Sequence, residues 1–227
     1  IQKKYRQVFF ENEPSTMGKN KPGKGVRNKS NKQSTNVKKN QAKDKARIKF
    51  YEGPGICKSE NVYKGIHYAS NEIVVILDAD LTVKISDMKM ALDAFIESDI
   101  DFLNCTRLIY PRSEKSMKKS NFLGNILFAN FFSIIFKQKI TDTLCGTKVF
   151  YKKDFLRFEK YNGTWGIKDK WGDFDLLLGA YRINLKIREY PVSYEDRIEG
   201  DTKMTNVFLN GLRMLYIIIN GFIKIRF

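Results

Sequence analysis

Histidine and cysteine are nearly absent from this chain. A single histidine, His67, among 227 residues excludes a metal centre built on histidines and argues against a histidine base. Cys57, Cys105 and Cys145 form no C-x-x-C pair, so there is neither a zinc signature nor a disulfide framework, and a reducing compartment fits best. The first residues are charged and lack the apolar core of a secretory signal. The chain opens at Ile1 without a methionine, and the expectation is a truncated frame that enters a domain already under way. Neither the P-loop nor the dinucleotide fingerprint occurs.

Positive charge is abundant but local. Of the formal +16, residues 1–50 hold 15 Lys/Arg against 3 acids, leaving 26 against 22 in the remainder. Residues 17–45 are rich in Lys, Asn, Ser and Gly and have almost no large apolar side chain, so they cannot bury enough surface to offset their ordering entropy. A solvated, disordered or weakly helical loop is expected there, with few aromatics to stack on bases, so no nucleic-acid partner is expected. The division is a basic low-complexity segment, 1–46, with one short strand at Gln7–Phe10, followed by a folded domain, 47–227.

The folded part reads as α/β. Ile73-Val-Val-Ile-Leu77 is a run of branched apolar residues, the pattern of a central parallel strand buried on both faces. It ends in Asp78-Ala-Asp80, and carboxylates at the end of a buried strand call for compensation, often by a divalent cation. Before it, Arg47–Tyr51 reads as a strand, and the Gly53-Pro-Gly55 turn opens a helix over about 59–70 beside Lys58, a plausible phosphate cradle. After it, Ser86 is the expected cap of a helix over about 87–98, and Asp101–Leu108 is a further strand. Phe122–Phe136 and about 206–225 are apolar helices edged by lysine and arginine, fit either for the core or for lying on an anionic membrane.

Four clusters follow in which charges sit beside small or turn residues: Asn104–Pro111, Asp142–Lys148, Gly172–Leu177 and Arg197–Lys203. Together with Asp78-Ala-Asp80-Leu-Thr, these segments resemble, in type and order, the family-2 inverting glycosyltransferases of the GT-A fold. They look most like the branch that includes dolichol-phosphate mannosyltransferase and other polyprenyl-phosphate sugar transferases. The likeness runs from about Phe50 to Phe227.

The resemblance implies a three-layer α/β/α sandwich with a mostly parallel sheet, and transfer of a sugar from a nucleoside-diphosphate sugar with inversion. It implies that Asp80, with Asp78, holds Mg²⁺ or Mn²⁺ against the diphosphate, and that Lys58 and Asp78 contact the donor. Asp173 falls at the acceptor-side acid: a general base for a hydroxyl acceptor, and unneeded as a base for an anionic polyprenyl phosphate. Arg107, Arg197 and Lys203 would hold phosphates, Asp142 with Cys145-Gly146 would shape the acceptor side, and Asp175 would cap a helix. The implied location is cytoplasmic, on the inner face of a membrane, with a lipid-phosphate or glycan acceptor.

The family's first strand does not precede the Gln7–Phe10 strand, and the turn that usually follows the second is here Glu11-Asn-Glu-Pro-Ser-Thr16. A catalytically inactive remnant acting as a scaffold is therefore the alternative, and a basic nucleic-acid-binding protein the more distant one.

Overall fold

A computed structural model describes residues 6–11, 47–111, 117, 119–196 and 206–227 of the chain. The basic segment 17–45, Arg197 and Lys203 lie outside these residues. Both early strands are present, β1 (Arg6–Glu11) and β2 (Arg47–Glu52), paired antiparallel as a two-stranded sheet.

The main sheet has the order β3 (Ile73–Ile76), β5 (Lys148–Tyr151), β4 (Phe102–Thr106), β6 (Ile187–Pro191). β4 and β6 are the one parallel pair of neighbours among the described strands; β5 is antiparallel to both β3 and β4, so β3, β4 and β6 point one way and β5 the other. The sheet is therefore mixed where a mostly parallel one was expected. The strand–helix–strand alternation over residues 73–106 does set parallel directions, but β5 then enters between those two strands running the other way.

The expectation for β3 also needs correction. Among the described strands it pairs only with β5, at the edge of the sheet, and its burial alternates: Val74 and Ile76 are buried, Ile73 and Val75 half-buried. β4, with five consecutive buried residues, is interior to the sheet, as is β5, which has a partner on each side.

Alternation along each strand divides the core into two layers. Val74, Ile76, Phe102, Phe150 and Ile187 face a layer shared with α1 (Lys58–Tyr68), α3 (Lys119–Phe136), α4 (Lys152–Phe158), α5 (Asp173–Arg182) and α6 (Val207–Arg226). Leu103, Cys105, Val149 and Val192 face Ala91 and Phe95 of α2 (Ile85–Glu97). This is the expected α/β/α sandwich. Phe102 and Phe150 stack across the strand pair with centroids 5.3 Å apart, both fully buried, each worth about 1.5–3 kcal/mol by burial.

Ser86 does not cap α2. Lys84 takes the cap position with extended backbone, and Ser86 Oγ donates to Asp87 Oδ1 at 3.3 Å. Asp87 is buried, and its Oδ2 accepts the Ser193 N–H at 2.7 Å, fixing the chain that leaves β6.

In α3, Phe128, Phe132 and Phe136 recur every four residues on the buried side, and Leu123, Leu127 and Ile134 are exposed. α6 packs on α3 and α5 through Met214, Ile217, Ile218 and Gly221. Its Phe208, Leu212, Ile219 and Ile223 face outward. By length and composition alone α6 could cross a membrane, with mean hydropathy 1.3 and 22% of its most apolar window buried.

Candidate active site

The carboxylates after β3 stand on a tight turn. Leu81 N–H donates to the Asp78 carbonyl at 3.2 Å, and Leu81 itself has φ 50°, a region that a branched residue seldom occupies and that costs on the order of 1–3 kcal/mol. Thr82 donates to Asp80 Oδ1 through its hydroxyl at 3.0 Å and its N–H at 3.4 Å. Asp78 turns to Lys58, the first residue of α1, whose Nζ lies 2.9 Å from Oδ1 and 3.1 Å from Oδ2. Burial alone would raise the Asp78 pKa, but Lys58, reinforced by Arg107 and Lys148, outweighs it and holds the carboxyl below its ordinary value. Burial pulls Lys58 the other way, and Asp173 and Asp78 overcome it, so the ammonium stays charged.

Asp173 opens α5 and is 5% exposed. Its cap residue, Gly172, has φ 86°, and a Cβ there would come within 3.0 Å of the Ser59 Cβ, so glycine is required twice over. Asp173 Oδ1 lies 3.0 Å from Lys148 Nζ and Oδ2 lies 3.8 Å from Lys58 Nζ. Asp78 and Asp173, 95 positions apart in sequence, are thus brought to opposite sides of one lysine.

Arg107 follows β4 and is tied to Asp142, which is fully buried. Nε and Nη2 donate to the two carboxylate oxygens at 2.7 and 2.9 Å, and the Arg107 N–H adds a third bond at 3.1 Å. Asn125 Nδ2 and the Leu144 N–H complete the shell at 2.6 and 3.0 Å. Burial opposes ionisation of Asp142, yet Arg107 and these donors bring its pKa down to about 2. With its oxygens so occupied, Asp142 presents itself to the cleft through Arg107, which lines it. The guanidinium also lies over Tyr194, 5.0 Å from the ring centroid. Beneath the pair, Glu189 accepts from the Thr141 N–H and hydroxyl and from the Asp142 N–H at 2.8–3.2 Å, fixing the loop that carries Asp142.

Cys145, Gly146, Arg107, Thr82 and Asp78 line a cleft. Burial pushes the Cys145 thiol up to about 11, so it stays protonated and is no nucleophile. Gly146 abuts Asp78: a Cβ there would stand 2.1 Å from Asp78 Oδ2.

Asp175 does not cap α5. Asp169 takes that role, its Oδ2 accepting the N–H groups of Phe174 and Asp175 at 2.9 and 3.2 Å. Asp175 instead accepts from the Tyr63 hydroxyl at 2.9 Å and from the Gly163 N–H. The glycine turn before α1 is present, but the Ser59 N–H is taken by the Lys170 carbonyl at 3.2 Å, which leaves fewer free donors for a phosphate than the turn alone suggests.

Among the described residues no three His, Cys, Asp or Glu side chains converge as a ready-made metal cage. Asp78 and Asp80 nonetheless fit a hard cation of the Mg²⁺ or Mn²⁺ kind, which needs one or two carboxylates and takes its other ligands from phosphate oxygens and water. Of the sequence-derived residues, Lys58, Asp78, Arg107, Asp142 and Asp173 come together with Asp80 beside them. Lys148 and Glu189 were given no role from sequence; a charged residue at the head of the apolar Lys148-Val-Phe-Tyr151 stretch was the available signal for the first.

A solved structure similar to this one is that of glucosyl-3-phosphoglycerate synthase from Mycobacterium tuberculosis, determined in complex with uridine diphosphate. It matches with a TM-score of 0.51 and 12% sequence identity over 73% of this chain. The match spans 55% of that protein's length, so the likeness bears on fold, and the fold is the GT-A type. The sequence model of glycosyl transferase family 2 matches residues 26–158, a span that contains Lys58, Asp78, Asp80, Arg107, Asp142 and Lys148. That span is more than half of the 227 residues, and the chain belongs to glycosyl transferase family 2.

Proposed function

We propose that the protein transfers a sugar, with inversion, from a nucleoside-diphosphate sugar to a lipid-linked acceptor, a polyprenyl phosphate, at a membrane surface. The observation that carries this reading is the opposition of Asp78 and Asp173 across Lys58 on a family-2 chain: a donor-side and an acceptor-side carboxylate share one cation.

In this reading the diphosphate lies against Asp78, Asp80 and Lys58. Asp80 and Asp78 would hold Mg²⁺ or Mn²⁺, which supplies Lewis-acid stabilisation of the charge developing on the leaving diphosphate. Lys58 trades part of its contact with Asp78 for phosphate oxygens. A polyprenyl phosphate arrives as an anion and needs no base. Arg107, anchored by Asp142, keeps N–H groups for its phosphate, and Arg197 and Lys203, which lie outside the described residues, would add charge. With a hydroxyl acceptor, Asp173 takes the proton.

The membrane part rests on α3 and α6. Phe208, Leu212, Ile219 and Ile223 of α6 and Leu123, Leu127 and Ile134 of α3 are exposed, and Lys137, Lys139 and Arg226 lie exposed at the helix ends. Apolar residues edged by cations suit an anionic bilayer surface, consistent with a peripheral position on a cytoplasmic face.

Calorimetry with UDP and with GDP in the presence of Mn²⁺ tests the donor reading. Metal-dependent binding that disappears in Asp80→Ala is expected; no heat with either nucleotide refutes it and favours an inactive scaffold. Failure to co-sediment with anionic vesicles at low salt refutes the membrane reading.

A further inference from the structure

Lys148 is a charged residue with no exposed surface, standing at the first position of β5 opposite Ile76 on one neighbour and Asn104 on the other. A buried ammonium is costly unless paired and hydrogen-bonded, so its partners say what it is for. They are two. Nζ lies 3.0 Å from Asp173 Oδ1, and it donates to the Cys145 carbonyl. The first is the carboxylate at the head of α5. The second belongs to the loop whose next residue, Gly146, is packed against Asp78.

The two oxygens of Asp173 therefore face two different lysines, and the lysines differ in kind. Lys148 has no solvent contact, whereas the Lys58 side chain is 29% exposed, lies 3.8 Å from Asp173 and bonds Asp78 more closely. Lys58 is the cation free to move to an anionic ligand. Lys148 is fixed in the sheet.

We infer that Lys148 is the positioning residue of the site: a fixed counter-ion that keeps Asp173 aimed when Lys58 turns to the donor, and that ties Asp173 to the Cys145–Gly146 wall of the donor cleft. It touches no substrate and acts through Asp173. The catalytic part of this inference rests on the sugar-transfer reading; the pairing itself does not.

The test uses the full chain as Lys148→Met, Lys148→Arg, Asp173→Asn and the double variant Lys148→Met/Asp173→Asn. In thermal unfolding, each neutralising single change strands a buried charge, and the double removes both. The double is expected to melt no lower than the less stable single, and additive losses would overturn the pairing. For function, the nucleotide (UDP or GDP) that binds with Mn²⁺ is titrated, and turnover of its sugar conjugate is followed with a polyprenyl phosphate and with a soluble sugar as acceptors. Lys148→Met is expected to bind nucleotide within about threefold of the unaltered protein while kcat falls on the order of 100-fold with the hydroxyl acceptor, which needs Asp173 as its base, and about severalfold with the anionic phosphate, which Asp173 only flanks, with Lys148→Arg recovering part of the loss. Unchanged kcat, or a loss confined to nucleotide affinity, overturns the positioning role. If the unaltered chain binds no nucleotide, the transfer reading fails while the unfolding cycle still decides the pairing.

Discussion

Asp175 offers a pH-dependent test of the packing behind the site. It is 1% exposed, in the first turn of α5, with the Tyr63 hydroxyl 2.9 Å from Oδ2 and the Gly163 N–H 3.1 and 3.2 Å from its oxygens. Those two donors favour the carboxylate, but burial first and the nearby Asp169 second outweigh them, and the pKa is pushed from 3.8 up to about 7. A folded pKa above the unfolded one means that the proton is held more tightly in the folded state. The stabilisation from this group is therefore complete below about pH 4 and is lost as pH rises through about 7. At 1.36 kcal/mol per unit the ceiling is about 4 kcal/mol; relaxation around the charge reduces this to an expected 2–4 kcal/mol, or roughly 5–15 °C in Tm for a chain of this size.

The perturbation is Asp175→Asn, which keeps the shape, leaves an oxygen to accept from Gly163 and Tyr63, and cannot ionise. Melting curves of both proteins from pH 4.5 to 8.5 give the difference in Tm at each pH, cancelling every titration they share. The unaltered protein is expected to lose ground against Asp175→Asn steadily from about pH 4.5 and to level off above about pH 7. In an Asp169→Asn background, where a neighbouring negative charge is gone, the levelling-off should move to lower pH. A difference in Tm that stays constant from pH 5 to 8.5 refutes the reasoning, because it means that Asp175 carries the same charge in both states throughout.

Three further outcomes follow from the contacts. Gly146→Ala drives a methyl into Asp78, so nucleotide affinity should fall at least tenfold in calorimetry for a stability cost of about 1–3 kcal/mol; wild-type affinity would show that Asp78 does not meet the donor. Asp142→Asn strands Arg107 and should cost about 3–5 kcal/mol in urea unfolding. Because the Asp142 pKa is depressed to about 2, its stabilisation is present above about pH 4 and is lost as pH falls through 2, so the gap between variant and unaltered protein should close in acid. Phe208→Ser with Ile219→Ser removes two exposed side chains from α6 and should leave Tm nearly unchanged while weakening vesicle binding severalfold; equal binding would place the contact elsewhere.

Periodicity made several elements legible: the apolar run of β3, the helices α1, α2, α3 and α6 within a few residues, and the interior strand β4. It did not reveal β5 or β6. β5 is four residues long and begins with a lysine, so no apolar pattern marks it, although it joins β3 to β4 and sets the mixed direction of the sheet. Sheet order is a long-range property, and a helix cap is decided by geometry, which is why Ser86 and Asp175 look like caps in sequence and are not. The same limit governs the site. The family resemblance, through the order of its motifs, singled out Lys58, Asp78, Arg107, Asp142 and Asp173, each in a segment where charges stand beside small or turn residues. It could not show that Asp142 is consumed by Arg107, that Asp173 has a buried partner, or that Glu189 holds the Asp142 loop.

Those pairings also bear on the divalent cation proposed above. Among the described residues of the cleft, three cations, Lys58, Arg107 and Lys148, stand beside four carboxylates, Asp78, Asp80, Asp142 and Asp173. The cluster carries one net negative charge before any donor enters. A nucleoside diphosphate brings two or three more, and in a half-buried cleft like charges at a few ångströms oppose binding by several kcal/mol. Lys58 alone cannot offset this, because each contact it gives to phosphate is taken from Asp78 or Asp173. In the proposed reading Asp78 and Asp80 would hold a divalent ion that corrects this balance, so nucleotide binding and release of Lys58 from Asp78 should both depend on the same ion.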